Sequence, residues 1–206
     1  MATERIPLFP LEAVLFPEQT LPLHISEPRY RLMTRRCLER HAPFGVVLTK
    51  AKDIAGVGCT ARIAEVIKKY EDGRSDILTI GEKIFKIEQT IDEQAYLEAE
   101  VSFLTDDPQG LGESALQQLR DLYLLCHEAL YGQAGPPHEG APGSSFAYHV
   151  ASELPLELPF RQSLLEERSE AARQQRLIVL LTEWLPQLKH RDRVRKKAAG
   201  NGRGVH

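Results

Sequence analysis

At residues 105–114, TDDPQGLGES, the hydrophobic pattern of this chain changes its period from two to about 3.6. Side chains alternate across a strand and recur every 3.6 residues along a helix, so the change separates a strand-forming segment from a helix-forming one. Before the boundary lie FGVVL (44–48), CTARIAEVIKKY (59–70), DILTIGEKIFKIEQTI (76–91) and YLEAEVSFL (96–104). The last alternates cleanly, with Leu97, Ala99, Val101 and Phe103 on one face. Between the second and third, EDGR (71–74) offers the Asp-Gly pair that a tight hairpin needs, and Gly81 marks a bulge or bend. Five or six strands with one early helix predict a small, strongly curved sheet or closed barrel.

After the boundary, SALQQLRDLYLLCHEALY (114–131) places Leu116, Leu119, Leu122, Tyr123, Cys126 and Leu130 on one stripe, with Ser114 as N-cap. A Gly/Pro-rich loop follows at 132–145, then FAYHVASEL, a stop at PLELP, and a long helical segment from about Arg161 to Leu185. There Leu177, Leu181 and Trp184 fall at i, i+4, i+7, and Glu166, Glu167 and Glu170 precede Arg173 and Arg176 on what reads as the solvated side. The expected fold is therefore α+β: residues 1–105 as a β-rich half with one early helix, 114–188 as a helical bundle, and 189–206 as a basic, mobile tail. That tail carries seven Lys or Arg against the single Asp192, a net +6 that leaves −9 for the rest of a chain whose total is −3.

The early helix is placed by PLHISEPRYRLM (22–33). Pro28 disfavours helix at Glu27 and is suited to open one itself, with Ser26 or Glu27 near its positive end. His24, Ser26 and Glu27 have the residue types of a base, a nucleophile and an orienting acid. Neighbours in sequence rarely adopt triad geometry, and in a strand Glu27 would face away from the other two, so the stretch reads as a structural corner. The arginines 29, 31, 35 and 36 could attract an anion, but Glu27 and Glu39 are placed to neutralise them. Cys37, Cys59 and Cys126 are odd in number, far apart and without a CxxC pair, which argues for buried thiols over disulfides or zinc. His127 and Glu128 lack a second ligand one turn on. No apolar run approaches the roughly 18 residues of a membrane span, and a cytoplasmic location is expected.

PLFPLEAVLFPEQTLPLHISEPRYRLM resembles the N-terminal, substrate-binding domain of the Lon ATP-dependent proteases, a domain also seen in cereblon and in free-standing bacterial proteins. FGVVL, GVGCTARIAEV, GEKIFKI and FAYHVASELPLELPFRQSLLEERSEAARQQRLIVLLTEWL look like further blocks of that family in its order, covering roughly residues 5–188. Departures are Ser26, where the family usually has an aromatic, and Ile84, where an arginine is common. The resemblance implies a PUA-like β pseudobarrel followed by a C-terminal helical bundle.

It also implies a function. No GxxxxGK[ST] phosphate loop occurs, and the short remainder leaves no room for a serine-lysine protease domain, so a free-standing, non-catalytic polypeptide-binding module without cofactor or metal is expected. Its partners would be unfolded or specific polypeptides, with a protease or chaperone beside them and no membrane. The resemblance places the opening corner next to a cleft between the two halves, with His24, Glu27, Arg29 and Tyr30 as a polar rim and Phe16 and Leu23 as an apolar floor. The competing expectation is a nucleic-acid-associated PUA-like protein using the basic tail, against which stand the acidic body and the lack of interleaved aromatics.

Overall fold

The computed structural model describes residues 3–51, 53–138 and 143–201, with side chains to Arg191. The chain forms two compact units: the N-terminal segment to Asp106 together with Leu156–Arg168, and Asp107–Pro155 together with Ser169 onward.

Among the described residues the first unit holds seven strands and two helices. In chain order they are β1 (Glu4–Leu11), β2 (Thr20–Ile25), α1 (Pro28–Arg40), β3 (Phe44–Lys50), β4 (Asp53–Ile54), β5 (Val57–Lys69), β6 (Ser75–Ile91), β7 (Glu98–Phe103) and, after a long excursion, α4 (Leu158–Glu166). Hydrogen bonding runs β1-β7-β6-β5-β3, and a parallel pairing of Leu8–Leu11 with Gly45–Leu48 joins β3 back to β1, so five strands close a ring. Closure leaves those strands without an open edge, one of the ways β proteins protect themselves from pairing with other chains. Strand β2 lies outside the ring against the first half of β6, with Thr20 opposite Ile80 and Ile25 opposite Ser75.

Strand alternation sorts the core. Ile6, Leu8, Val47, Phe85, Ala99 and Val101 point to one face and form a single buried cluster. Phe9, out of phase with Ile6 and Leu8, faces the other way, where its ring lies 4.1 Å from that of Tyr30 and 5.9 Å from that of Phe44. Tyr30, Met33 and Cys37, at i, i+3, i+7 of α1, are buried there. The helix begins with Pro28 at its first turn. It ends at His41, which adopts left-handed backbone with φ 50°, while the Ala42 amide reaches back to the Cys37 carbonyl.

The bend expected at Gly81 has a specific cause. The Gly81 amide donates to Gln19 O and its carbonyl accepts from the Glu18 amide, so the chain entering β2 is laced to β6 at this point. A Cβ on Gly81 would collide with the Phe16 carbonyl oxygen. The β5–β6 register also shifts here, between Cys59 and Ala61.

The second unit contains α2 (Glu113–Tyr131), α3 (Phe146–Glu153) and α5 (Glu170–Asn201). Helix α2 starts one residue before the expected Ser114 and is capped by Gly112, because the Ala115 and Leu116 amides both find the Gly112 carbonyl. Of its predicted stripe, Leu119, Tyr123 and Cys126 are buried, joined by His127. The helical stretch expected from Arg161 to Leu185 is broken in two by extended backbone at Glu167, and its first part, α4, belongs to the first unit. Helix α5 continues through the basic stretch to Asn201. Of the expected mobile tail, 189–206, the part to Asn201 is thus helical, and 202–206 lies outside the described residues.

One expectation is reversed. Glu170 and Arg173 are not on a solvated side; they are 5% and 1% exposed. Glu170 Oε2 accepts from Ser145 Oγ at 2.6 Å and from Arg173 Nη2 at 2.9 Å, and its Oε1 accepts from the Ala147 amide at 3.0 Å and Gln174 Nε2 at 2.8 Å. Arg173 Nη1 donates to the Tyr148 hydroxyl at 2.8 Å. The start of α3 is thereby tied to the start of α5, where the carboxylate also meets the positive helix end. Charges this deep persist only when paired and hydrogen-bonded, and these are.

Candidate functional site

The corner between β2 and α1 carries all the residues singled out from sequence except Phe16, and the structure divides them by exposure. His24, Glu27 and Arg29 are exposed, Leu23 is partly buried, and Tyr30 and Phe16 are buried at 7% and 0% exposure. Phe16 packs below Arg161 of α4, whose guanidinium sits 4.8 Å from the ring centroid and donates to Val14 O at 3.0 Å. Desolvation lowers the Arg161 pKa to about 10, which leaves it charged at neutral pH. Phe16 thus anchors α4 to the first unit and exposes no apolar floor. Burial raises the pKa of Tyr30, and Arg29 covers its ring at 4.6 Å.

The exposed members are held in place by partners. His24 Nδ1 lies 2.6 Å from Asp76 Oδ1 across the β2–β6 pairing, and the Tyr70 hydroxyl donates to the other oxygen at 2.7 Å. Those two contacts, that from His24 being the larger, lower the pKa of Asp76. Glu27 and Arg29 pair at 2.9 Å. Neither arrangement places a nucleophile against a base: Ser26 is exposed and has no part in these contacts.

Beside this corner, between α1 and the β5–β6 hairpin, opens a cleft of about 500 Å³. Residues 31, 34, 35 and 38 recur at i, i+3, i+4, i+7, so they form one stripe along α1, and all four line it. The hairpin contributes Val66, Lys69 and Arg74. The turn is the one read from EDGR: Gly73 takes φ 84°, and the Asp72 carbonyl accepts from Arg31 Nη1 at 2.6 Å, which pins hairpin to helix.

Four cations surround this cleft, and their partners differ. Arg74 pairs with Asp72 at 2.7 Å, and Arg35 reaches Glu39 at 4.0 Å. Arg31 bonds a neutral carbonyl, and neither it nor Lys69 forms an ion pair among the described residues. Thr34, 3% exposed, has a buried Oγ1 with no hydrogen-bond partner. None of the six residues chosen from sequence lines the cleft, although Pro28 and Tyr70, which do, connect it to Glu27 and His24. The missed stripe was present as periodicity in RLMTRRCL. What could not be read was that the hairpin would fold back over it.

Burial pushes the Cys37 and Cys126 thiols up to about 11, and Cys59 up as well, so these sulfurs stay protonated and unreactive. Among the described residues no group of three or more His, Cys, Asp or Glu is placed to hold a metal ion, and no helix is long and apolar enough to cross a membrane.

The ring of strands with its helices is an α+β fold, and the relationships to known proteins say to which family it belongs. The family model described as the ATP-dependent protease La (LON) substrate-binding domain matches residues 5–183, and the chain belongs to that family. The fold is similar to the crystal structure of a Lon N-terminal domain protein from Xanthomonas campestris, at 25% identity and a TM-score of 0.66, covering 85% of this chain and 98% of that one. It is also similar to the N-terminal domain of a Mycobacterium avium complex Lon protease, at 14% identity and a TM-score of 0.63, covering 87% and 98% of the two chains. Among curated relatives, the Lon protease of Amoebophilus asiaticus is 35% identical over 45% of this chain and 12% of its own length. Lon protease 2 of Syntrophobacter fumaroxidans is 24% identical over 94% and 26%. The chain therefore spans about a quarter or less of these relatives.

Proposed function

We propose that this chain is a non-catalytic module that binds polypeptides, unfolded ones or particular sequences, through the first unit. The match of residues 5–183 to a substrate-binding domain carries the reading. It is supported by the corner and cleft, where exposed charged groups held by partners border apolar surface that includes Leu38 at 38% exposure. Such a surface offers apolar area together with orienting polar groups, which is what recognition of an extended chain uses. No step of bond cleavage is assigned to it. Cleavage or refolding of the bound polypeptide would fall to a protease or chaperone.

The test is direct. The purified chain is titrated against fluorescently labelled, reduced and carboxymethylated lactalbumin, with the native form as control, and assayed in parallel for ATP and peptide hydrolysis. Saturable binding of the unfolded form alone, without turnover, is the expected result. Equal binding of both forms, no binding, or turnover that follows the protein through independent purification steps would overturn the reading.

A further inference from the structure

The reading above names a polypeptide without saying which kind. We infer that the cleft between α1 and the β5–β6 hairpin selects segments in which carboxylates flank an apolar side chain. The inference rests on the polypeptide-binding reading and adds to it a site and a chemistry.

Charge is the first argument. The whole chain is net −3, yet Arg31, Arg35, Lys69 and Arg74 converge on this cleft. Four cations meet two carboxylates here, Glu39 paired with Arg35 and Asp72 paired with Arg74 and also held charged by nearby Arg31, so positive charge remains in excess. Excess positive charge on facing walls attracts an anionic group and penalises a cationic one, and so provides specificity as well as attraction. Arg31 is also already oriented. Its Nη1 is committed to the Asp72 carbonyl, so the guanidinium offers its remaining donors from a fixed position.

The second argument is the unmatched hydroxyl. A buried polar atom without a partner is disfavoured by the loss of its hydration, and Thr34, a residue of the α1 wall of the cleft, carries such an atom in its Oγ1, which a turn about χ1 would redirect. A hydroxyl both donates and accepts, so it can pair with a carboxylate oxygen or with a backbone amide of an incoming chain. Apolar surface supplies the third argument. Leu32, Leu38 and Val66 line the same walls, and Leu38 is substantially exposed. Their presence beside the cations suits an apolar side chain set between carboxylates better than a simple anion, which would leave that surface wet.

The experiment uses the full chain and two short labelled peptides, one with a central Asp-Leu-Asp and the other with Asn-Leu-Asn, followed by fluorescence anisotropy. The wild-type protein is expected to bind the Asp peptide about tenfold more tightly, the scale of one charge-assisted hydrogen bond. That preference should fall to less than about twofold in an Arg31→Gln, Lys69→Gln variant, with binding of unfolded lactalbumin also weakened. Because Arg31 helps to hold the hairpin, Lys69→Gln with Thr34→Val forms a second variant that leaves the Asp72 contact intact, and circular dichroism establishes folding in both. Equal binding of the two peptides, or a preference that survives in both variants, overturns the inference while lactalbumin binding by the wild type leaves the polypeptide reading standing. If a single-stranded RNA displaces the Asp peptide and itself binds more tightly through the same residues, the cleft is an anion site for nucleic acid and the inference is wrong. If no polypeptide binds the wild type, both readings fall together.

Discussion

Replacing Glu170 with alanine tests whether the buried charge network holds the second unit together. The substitution removes the acceptor for Ser145 Oγ, the Ala147 amide, Arg173 and Gln174, and leaves the Arg173 guanidinium at 1% exposure without its carboxylate. Removing one partner of a buried ion pair costs about 3–5 kcal/mol, because the surviving charge stays desolvated after losing its carboxylate. With a urea dependence of roughly 2 kcal/mol per molar, the unfolding midpoint should fall by about 1.5–2.5 M. Trp184 is the chain's single tryptophan and lies on α5, so its fluorescence reports on this unit. The double variant Glu170→Leu, Arg173→Met replaces both charges with apolar groups of comparable bulk, and should recover most of the loss. A loss below about 1 kcal/mol in Glu170→Ala, or a double variant no better than the single one, would refute the claim that the network acts through burial of charge.

Two further outcomes are expected. His149, half-buried, donates from Nε2 to the Pro136 carbonyl at 3.1 Å, and burial holds its pKa below the ordinary value of about 6.5. The unfolded chain then binds the proton more readily, so stability is full above pH of about 6.5 and declines as pH falls through it towards the folded-state pKa. The midpoint of Trp184 unfolding should fall between pH 7 and pH 5 more steeply in wild type than in His149→Gln, and equal slopes would contradict this. In the first unit, Gly81→Ala should destabilise by roughly 1–3 kcal/mol, since the added methyl meets the fixed Phe16 carbonyl and not a flexible side chain. An unchanged denaturation midpoint, followed by far-ultraviolet circular dichroism, would show that this approach is not tight in solution.

The periodicity of the sequence made the α+β class, the hairpin at EDGR and the helix opened by Pro28 legible, because each depends on contacts within a few residues. Ring closure by β1 and β3 was left open by periodicity, since no local pattern distinguishes a curved sheet from one whose ends meet, and only the family resemblance implied a barrel. The burial of Glu170 and Arg173 was hidden for a related reason. An i, i+3 pair of opposite charges reads as surface unless Ser145 and Tyr148, some 25 residues earlier, are known to enclose it. The corner at residues 22–33 was found, but exposure at Phe16 and Tyr30 depended on α4 and on Phe9, which arrive from elsewhere in the chain.

The membership of α4 in the first unit also has a bearing on synthesis. The last strand of the ring ends at Phe103, yet Arg161, which covers Phe16, and the rest of Leu156–Arg168 emerge only after most of another unit has been made. At translation rates of roughly 5–20 residues per second, the stretch of about 65 residues from 104 through 168 takes some 3–13 s. Throughout that interval the nascent N-terminal part can close its strands but must leave the patch around Phe16 open to water. A protein read as a receptor for unfolded chains is thus, while on the ribosome, briefly in need of one.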